Sequence, residues 1–383
     1  MRTALVLGAG IMGLSAGWAL ARAGFAVRLL EQDDVPNPRG SSVDDHRLIR
    51  HAYGAHTGYM RMVDPAYGAW DLLFREAGER HYVQTGVLAL AGSTGSWLPA
   101  SRAALLADGY AVESLAADDV AVAYDFLRSD GIADAFRIAS GGVLLARKIV
   151  DTLARLLRHR GVPIERGRAV SVDAARALVA LDDGTTRSAD LLVVAAGPWG
   201  PRLLPGIAGR VRPTRQVVVR LAPPPDRAEA WACAPMLLDL AENGGFYAVP
   251  PVAGTPLKIG DHRFAATADP DGPRSVTPAE SDAILDLARH RIRDLERYRV
   301  VSASACWYDV EPLERFILEP ISDRSWVMSG FSGHGFKFGP LLGLALARSL
   351  SDPSIAAALP GWAAGEAAPP AGLLDEITQD QMA

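Results

Sequence analysis

Near its start the chain runs "LVLGAGIMGLSAGWALARAGFAVRLLEQ". This is a strand-like stretch, three glycines at the spacing G-x-G-x-x-G, a helix-like stretch, and a second strand that ends on an acid. Few patterns constrain a fold so tightly. Gly8 permits a sharp turn, Gly10 leaves room for a phosphate against the backbone, and Gly13 lets the helix lie close to the strand. The helix N-terminus then offers unpaired amides and a favourable dipole to an anion. Glu31, eighteen residues past Gly13, stands where an acid can accept from a ribose hydroxyl. Because strand, glycines, helix, strand and acid fall in order, an α/β, Rossmann-type dinucleotide-binding fold is predicted for this end of the chain.

The same segment has a second outline. No charged residue lies between Ala4 and Ala21, and Arg2 precedes them, as in a signal peptide or a short membrane span. Neither needs glycines at this spacing, and there is no other long apolar run, so a soluble, cytoplasmic protein without membrane contact is expected. At 383 residues the chain exceeds a usual single domain, which predicts two. A net charge of −5 argues against a nucleic-acid partner. The two cysteines, Cys233 and Cys306, imply no disulfide framework; Cys233 reads as a core residue, and no metal site is indicated.

Further along, "IVDTLARLLRHRGVPIERG" reads as a helix followed by a short strand from Val162. In "ALVALDDGTTRSADLLVVAAGPWG" a turn at Asp182-Asp183-Gly184 joins two strands, and a buried strand ends at Ala195-Ala196-Gly197, where small residues let backbone lie against a ligand. The runs "RQVVVRL", "PMLLDL", "GFYAV" and "PLKIGD" predict a second, mostly antiparallel sheet. "TPAESDAILDLARHRIRDLERY" reads as one exposed amphipathic helix with Thr277 as its cap and Pro278 in its first turn. The stretch after Trp362, rich in alanine, proline and glycine, reads as a loosely held tail.

Three further segments, "GSSVDDHRLIRHAYG" (40–54), "ACWYDVEP" (305–312) and "GFSGHGFKFG" (330–339), together with the glycine fingerprint, resemble the monomeric sarcosine oxidase and N-methyltryptophan oxidase family of amine-oxidising flavoproteins. The resemblance implies FAD, bonded at its 8α carbon to the thiol of Cys306. It implies a discontinuous FAD domain (1–80, 140–210 and 308–383) and a substrate domain (81–139 and 211–307). Ser41, Ser42, Gly197, Gly333, His334, Gly335 and Lys337 would lie beside the cofactor with the residues of the fingerprint. Lys258 would assist the reaction with O₂, since a fixed cation stabilises the charge that develops as oxygen is reduced. Arg47, Tyr247 and His262 would complete the catalytic set. Arg50, Lys337 and Tyr308 would bind substrate, with the planar guanidinium of Arg50 suited to hold a carboxylate by two parallel hydrogen bonds.

The implied reaction is oxidation of a secondary amine or an N-substituted or cyclic amino acid by a monomeric enzyme, giving imine and hydrogen peroxide. Sarcosine oxidases carry a histidine where this chain has Val43, a glycine at Asp44 and a threonine at His46, which leaves the substrate open. Other readings also stay open: a flavin dehydrogenase with a different electron acceptor, a nicotinamide-dependent dehydrogenase on the same fingerprint, and an FAD-binding protein without turnover.

Overall fold

The computed structural model describes residues 1–92, 95–240, 245–264 and 267–377. Its first sheet has six strands in the order Ile317–Ser322, Ser325–Ser329, Leu191–Val194, Thr3–Leu7, Ala26–Glu31 and Ile164–Arg166. All neighbours are parallel except the first pair. Strands buried on both faces can be apolar throughout, and the two central ones are, in Leu191–Val194 and from Ala4 to Leu7. Ala4, Val6, Leu29 and Val193 pack into the helix-side core, while Leu5, Leu7, Leu30, Leu192 and Val194 pack under a three-stranded meander (residues 169–188) on the other side. The helix side carries Ile11–Arg22, Ala146–His159 and the C-terminal helix Gly339–Ser349.

The second sheet has eight strands in the order Arg299–Val310, Arg212–Ala222, Leu257–Gly260, Phe246–Val249, Met236–Leu240, Val87–Ala91, Asp134–Ile138 and Glu113–Ser114. It is antiparallel apart from one parallel pair, Met236–Leu240 with Val87–Ala91. Alternation separates its faces. Val219, Leu221, Leu237, Phe246, Leu257 and Ile259 pack against Trp231, Ile284, Leu285 and Ala288, from the helices Pro225–Ala232 and Pro278–Arg289. The register puts Tyr247 opposite Gly260, Lys258 opposite both Val249 and Arg220, and Cys306 opposite Gln216. Tyr247, Lys258, Arg220, Cys306 and Tyr308 therefore share the face turned away from that core.

Several sequence expectations need correction. The helix capped by Thr277 has its capping box, with Glu280 as the partner acid, but it ends at Arg289 and not near Tyr298. Arg291 is drawn inward onto Asp239 at 2.6 Å, and Asp294 takes a left-handed conformation with φ 50°, so the backbone turns off the helix axis. Nor is that helix wholly exposed, since Ile284, Leu285, Leu287 and Ala288 are buried. Cys233 is exposed, because it sits at the C-cap of the short helix Pro225–Ala232. Within the tail, Leu373 and Ile377 are buried in the main core and Glu376 pairs with Arg22; residues 378–383 lie outside the described residues. The strand expected from Val162 begins at Ile164.

Candidate active site

The glycine loop is built by close approach. A Cβ on Gly13 would fall 1.8 Å from the carbonyl oxygen of Gly8, and Gly8 itself has φ +105° with the Ala195 carbonyl where its Cβ would stand. Both positions therefore require glycine. Beside them Glu31 accepts from the amides of Ala9 (2.8 Å) and Gln32 (2.9 Å) and from Asn37 Nδ2 (2.9 Å). Burial raises its carboxyl above the ordinary range against these bonds. Its Oε2 has Ala9 as its one donor among the described residues, which leaves a lone pair for a further donor. Ser42 Oγ accepts from the Ile11 amide at 2.9 Å, and the Ser41 hydroxyl donates to the Trp307 carbonyl.

These residues line a cleft of ≈ 320 Å³ that also takes in Gly197, Gly333 and Gly335. The strand expected to end at Ala195-Ala196-Gly197 ends at Val194, and Gly197, three residues on, has φ +51° and opens a short turn. Gly333, at φ +78°, lies under the ring of Tyr308, 2.3 Å from where a Cβ would be. Aromatic packing is thus a second reason for glycine there. No ligand is needed to explain it. Asp309, buried in the same cleft, has its carboxyl raised to about 6 by burial; no feature of its local sequence marks it.

A second cleft, ≈ 380 Å³, meets the first at Arg47, Tyr308, Gly333 and Phe336, which border both. Its size is that of a small-molecule site. Into it come Arg50, Tyr247, Lys258, His262, His334 and Lys337. His334 and Lys337 border this cleft and not the first, whereas Gly335 borders only the first. Cys306 lines neither, but lies half-buried on the same sheet face as Lys258 and Tyr308, and desolvation raises its thiol. His262 stands at the rim, half exposed, with Nε2 3.0 Å from Glu314 Oε2.

Charge is distributed unevenly around this cleft. Lys258 Nζ, 2% exposed, donates to Asp44 Oδ2 at 2.9 Å and to the His46 carbonyl at 2.7 Å. Asp44 also takes Arg47 and, at 2.5 Å, Arg220. Burial pushes the Lys258 ammonium down to about 8, opposed by Asp44. The ring of His46, fully buried, is held near 3 by burial and by Lys258, so it stays neutral. Asp44 is well below its usual range because three cations outweigh the effect of burial.

Arg50 is different. Its guanidinium stacks over Tyr53 (4.6 Å) and Trp97 (5.9 Å), its Nη1 is buried with no hydrogen-bond partner among the described residues, and burial lowers its pKa. Lys337 donates to the Tyr53 hydroxyl at 2.8 Å and to the His334 carbonyl at 2.7 Å. Its ammonium is held well below the usual lysine range by burial and then by Arg50. Among the described residues neither Arg50 nor Lys337 forms an ion pair. Sequence reasoning did not reach Tyr53, Trp97 or Glu314. Tyr53, three residues after Arg50 in "RHAYG", was within the quoted segment but carries no periodic signal; Trp97 and Glu314 come from distant elements.

Residues 3–349 match the family described as FAD dependent oxidoreductase. The chain is 28% identical over 369 residues to monomeric sarcosine oxidase from Bacillus sp. (strain NS-129), covering 90% of this chain and 91% of that protein. It is 28% identical over 348 residues to N-methyl-L-tryptophan oxidase from Yersinia pestis (strain Pestoides F), covering 88% and 92%. Among solved structures it is similar to glycine oxidase from Geobacillus kaustophilus (TM-score 0.76, 20% identity, 92% of this chain and 95% of that one). It is also similar to iminodiacetate oxidase from Chelativorans sp. BNC1 (TM-score 0.76, 22% identity, 91% and 95%). Among the described residues no helix is long and apolar enough to cross a membrane, and no cluster could hold a metal ion.

Proposed function

Since the chain belongs to the FAD-dependent oxidoreductase family, we propose that it oxidises a secondary amine or an N-substituted or cyclic amino acid, with O₂ as the electron acceptor, and that it works as a cytoplasmic monomer. The observation that carries this is the buried, unpartnered Nη1 of Arg50, in a cleft that also holds Lys337 and opens onto the glycine-lined one. A guanidinium kept dry and unpaired is a receptor for an anion. A substrate carboxylate is the anion that would place an amino acid beside the cofactor.

The first cleft fits FAD, because Gly8 and Gly10 line it without side chains and Glu31, also in its lining, keeps an acceptor site. Residues 1–80, 140–210 and 308–383 would form the FAD domain, with the remainder shaping the substrate side. Bound FAD would supply the two-electron acceptance that turns the amine into an imine, and the reduction of O₂ to peroxide. Arg50 and Lys337 would hold the carboxylate, and Tyr247, Tyr308 and His262 would border the substrate. Arg47, bound by Asp44 and by the Ser41 carbonyl at 2.7 Å, would hold the loop beside the cofactor. Lys258 would stabilise negative charge as O₂ is reduced.

The Cys306 thiol, half-buried on the sheet face that carries Lys258, would be the point of covalent attachment. Acid precipitation should then leave yellow colour in the pellet of the wild type and release it from Cys306→Ser; colour wholly in the wild-type supernatant would reject the bond. A panel of N-methyl and cyclic amino acids, scored by anaerobic bleaching of the visible flavin band, tests the substrate class. Bleaching by carboxylate-bearing secondary amines and not by their neutral amides is expected. Bleaching by neither class would overturn the reading.

A further inference from the structure

Of the 39 basic residues in the chain only three are lysines: Lys148, Lys258 and Lys337. Lys148 is exposed, and the other two are buried along the second cleft. A chain that meets nearly every other need for positive charge with arginine keeps lysine at two buried positions. There the chemical difference matters, because an ammonium can give up its proton in a dry site and a guanidinium does not.

The surroundings of Lys258 are crowded with like charge. Arg47 approaches from the strand Arg47–Ile49 and Arg220 from Arg212–Ala222, while Tyr247 and the pair Cys306 and Tyr308 face it from two further strands. From the loop before Arg47 come the neutral ring of His46, Asp45 and Asp44. Asp45 is spent on Arg220, at 2.8 Å. That leaves Asp44, at 2.9 Å, as the carboxylate on the ammonium, and the same carboxylate also takes both neighbouring arginines.

We propose that Asp44 is the positioning residue that keeps the Lys258 ammonium charged in its buried site, and so sets the upper pH limit of the oxygen step. The second half rests on the function proposed above for Lys258. Without the Asp44 charge, the lysine would be left between two guanidiniums and out of water, and both conditions favour the neutral amine. The ammonium is already held down to about 8 with Asp44 in place. The loop thus does two things at once: the Asp44 carboxylate holds the charge, and the His46 carbonyl two residues on aims it.

With three lysines the test is direct. In holoenzyme labelled with ¹³C and ¹⁵N in lysine, three side-chain signals are expected, and Lys258→Met identifies one of them. In the wild type that signal should titrate near pH 8. In Asp44→Asn it should titrate about one to three pH units lower, with Lys148 unmoved. In Arg220→Gln, which removes a competing cation, it should move the other way. The high-pH limb of flavin reoxidation by O₂ should follow the same displacement. A Lys258 signal that titrates in Asp44→Asn at or above the wild-type pH would overturn the proposal. If Asp44→Asn does not fold, an unmoved or lowered signal in Arg220→Gln overturns it instead. If Lys258→Met reoxidises like the wild type while the signals move as expected, the oxygen role falls and the hold of Asp44 on the charge stands.

Discussion

Lys258 and Arg50 border one cleft, yet the first has a carboxylate at 2.9 Å and the second has a buried nitrogen with no hydrogen-bond partner among the described residues. Burying a charge costs several kcal/mol unless it is paired. Around Lys258 the fold has met that cost with Asp44 and a carbonyl. Around Arg50 it offers the faces of Tyr53 and Trp97, which contribute on the order of 1–2 kcal/mol, and the field of the Glu314 carboxylate without an ion-pair contact. The first cation is finished by the protein, and the second is left for whatever binds. The contrast also bears on what each group can do: a paired charge is a fixed part of the field, while an unpaired one gains most when a ligand arrives.

The largest expected effect tests the finished side. Lys258→Met should slow reoxidation by O₂ about a hundred- to a thousandfold, the scale for losing one pre-positioned stabilising group, and leave anaerobic reduction near the wild-type rate. Stopped-flow timing of the two half-reactions separates them, and equal slowing would show that Lys258 serves structure or substrate binding instead. On the open side, Arg50→Met should weaken binding of an amino acid by about a hundredfold and Lys337→Met by about tenfold, from lost charge-assisted hydrogen bonds of about 1.5–3 kcal/mol. A neutral amide analogue, titrated by flavin spectral change, should hardly notice either substitution. Equal losses for acid and amide would erase the distinction between the two cations.

A third expectation concerns pH. Because Lys337 is held well below its usual range by burial and by Arg50, a bound carboxylate should favour its protonated form. Binding then takes up a proton, and affinity rises as pH falls from the value in the complex toward the lower value of the free site, by at most about tenfold per pH unit, and levels off below it. Calorimetry in buffers of different ionisation enthalpy reads that uptake directly, and it should vanish in Lys337→Met. The smallest effect is expected from Tyr53→Phe. It removes one acceptor from the Lys337 ammonium and should cost about three- to tenfold in carboxylate affinity.

How much of this was legible beforehand differs by region in the same way. The glycine loop could be read because half of its constraint is local: Gly13 packs on the carbonyl of Gly8, five residues back, although what excludes a Cβ at Gly8 is Ala195, 187 residues on. The capping box at Thr277 is also local, with its partner acid three residues on. The end of that helix was not readable, because Arg291 answers to Asp239, 52 residues away. The same holds at the site. Asp44 appeared in the sequence as a departure in a loop, and nothing near it shows that its partner is Lys258, 214 residues on. The tail looked loose by composition, yet Leu373 and Ile377 are buried in the main core, since burial depends on what lies beneath a segment.

The alternation of the eight-stranded sheet has a consequence for how this chain could be altered, by evolution or at the bench. Along Met236–Leu240 and Phe246–Val249, Leu238, Leu240 and Tyr247 on the cleft face interleave with Leu237, Asp239 and Phe246; Asp239 and Phe246 also touch the cleft, but Leu237 and Phe246 pack into the core beneath the helices and Asp239 pairs with Arg291. Exchanges on the cleft side can reshape substrate preference without disturbing the layer behind. Insertion or deletion of one residue there cannot, because it would turn every side chain to the opposite face. Asp239 would be carried off Arg291 and toward the cleft, and a buried arginine would lose its counter-ion. Diversity in these strands should therefore accumulate by replacement and almost never by change of length.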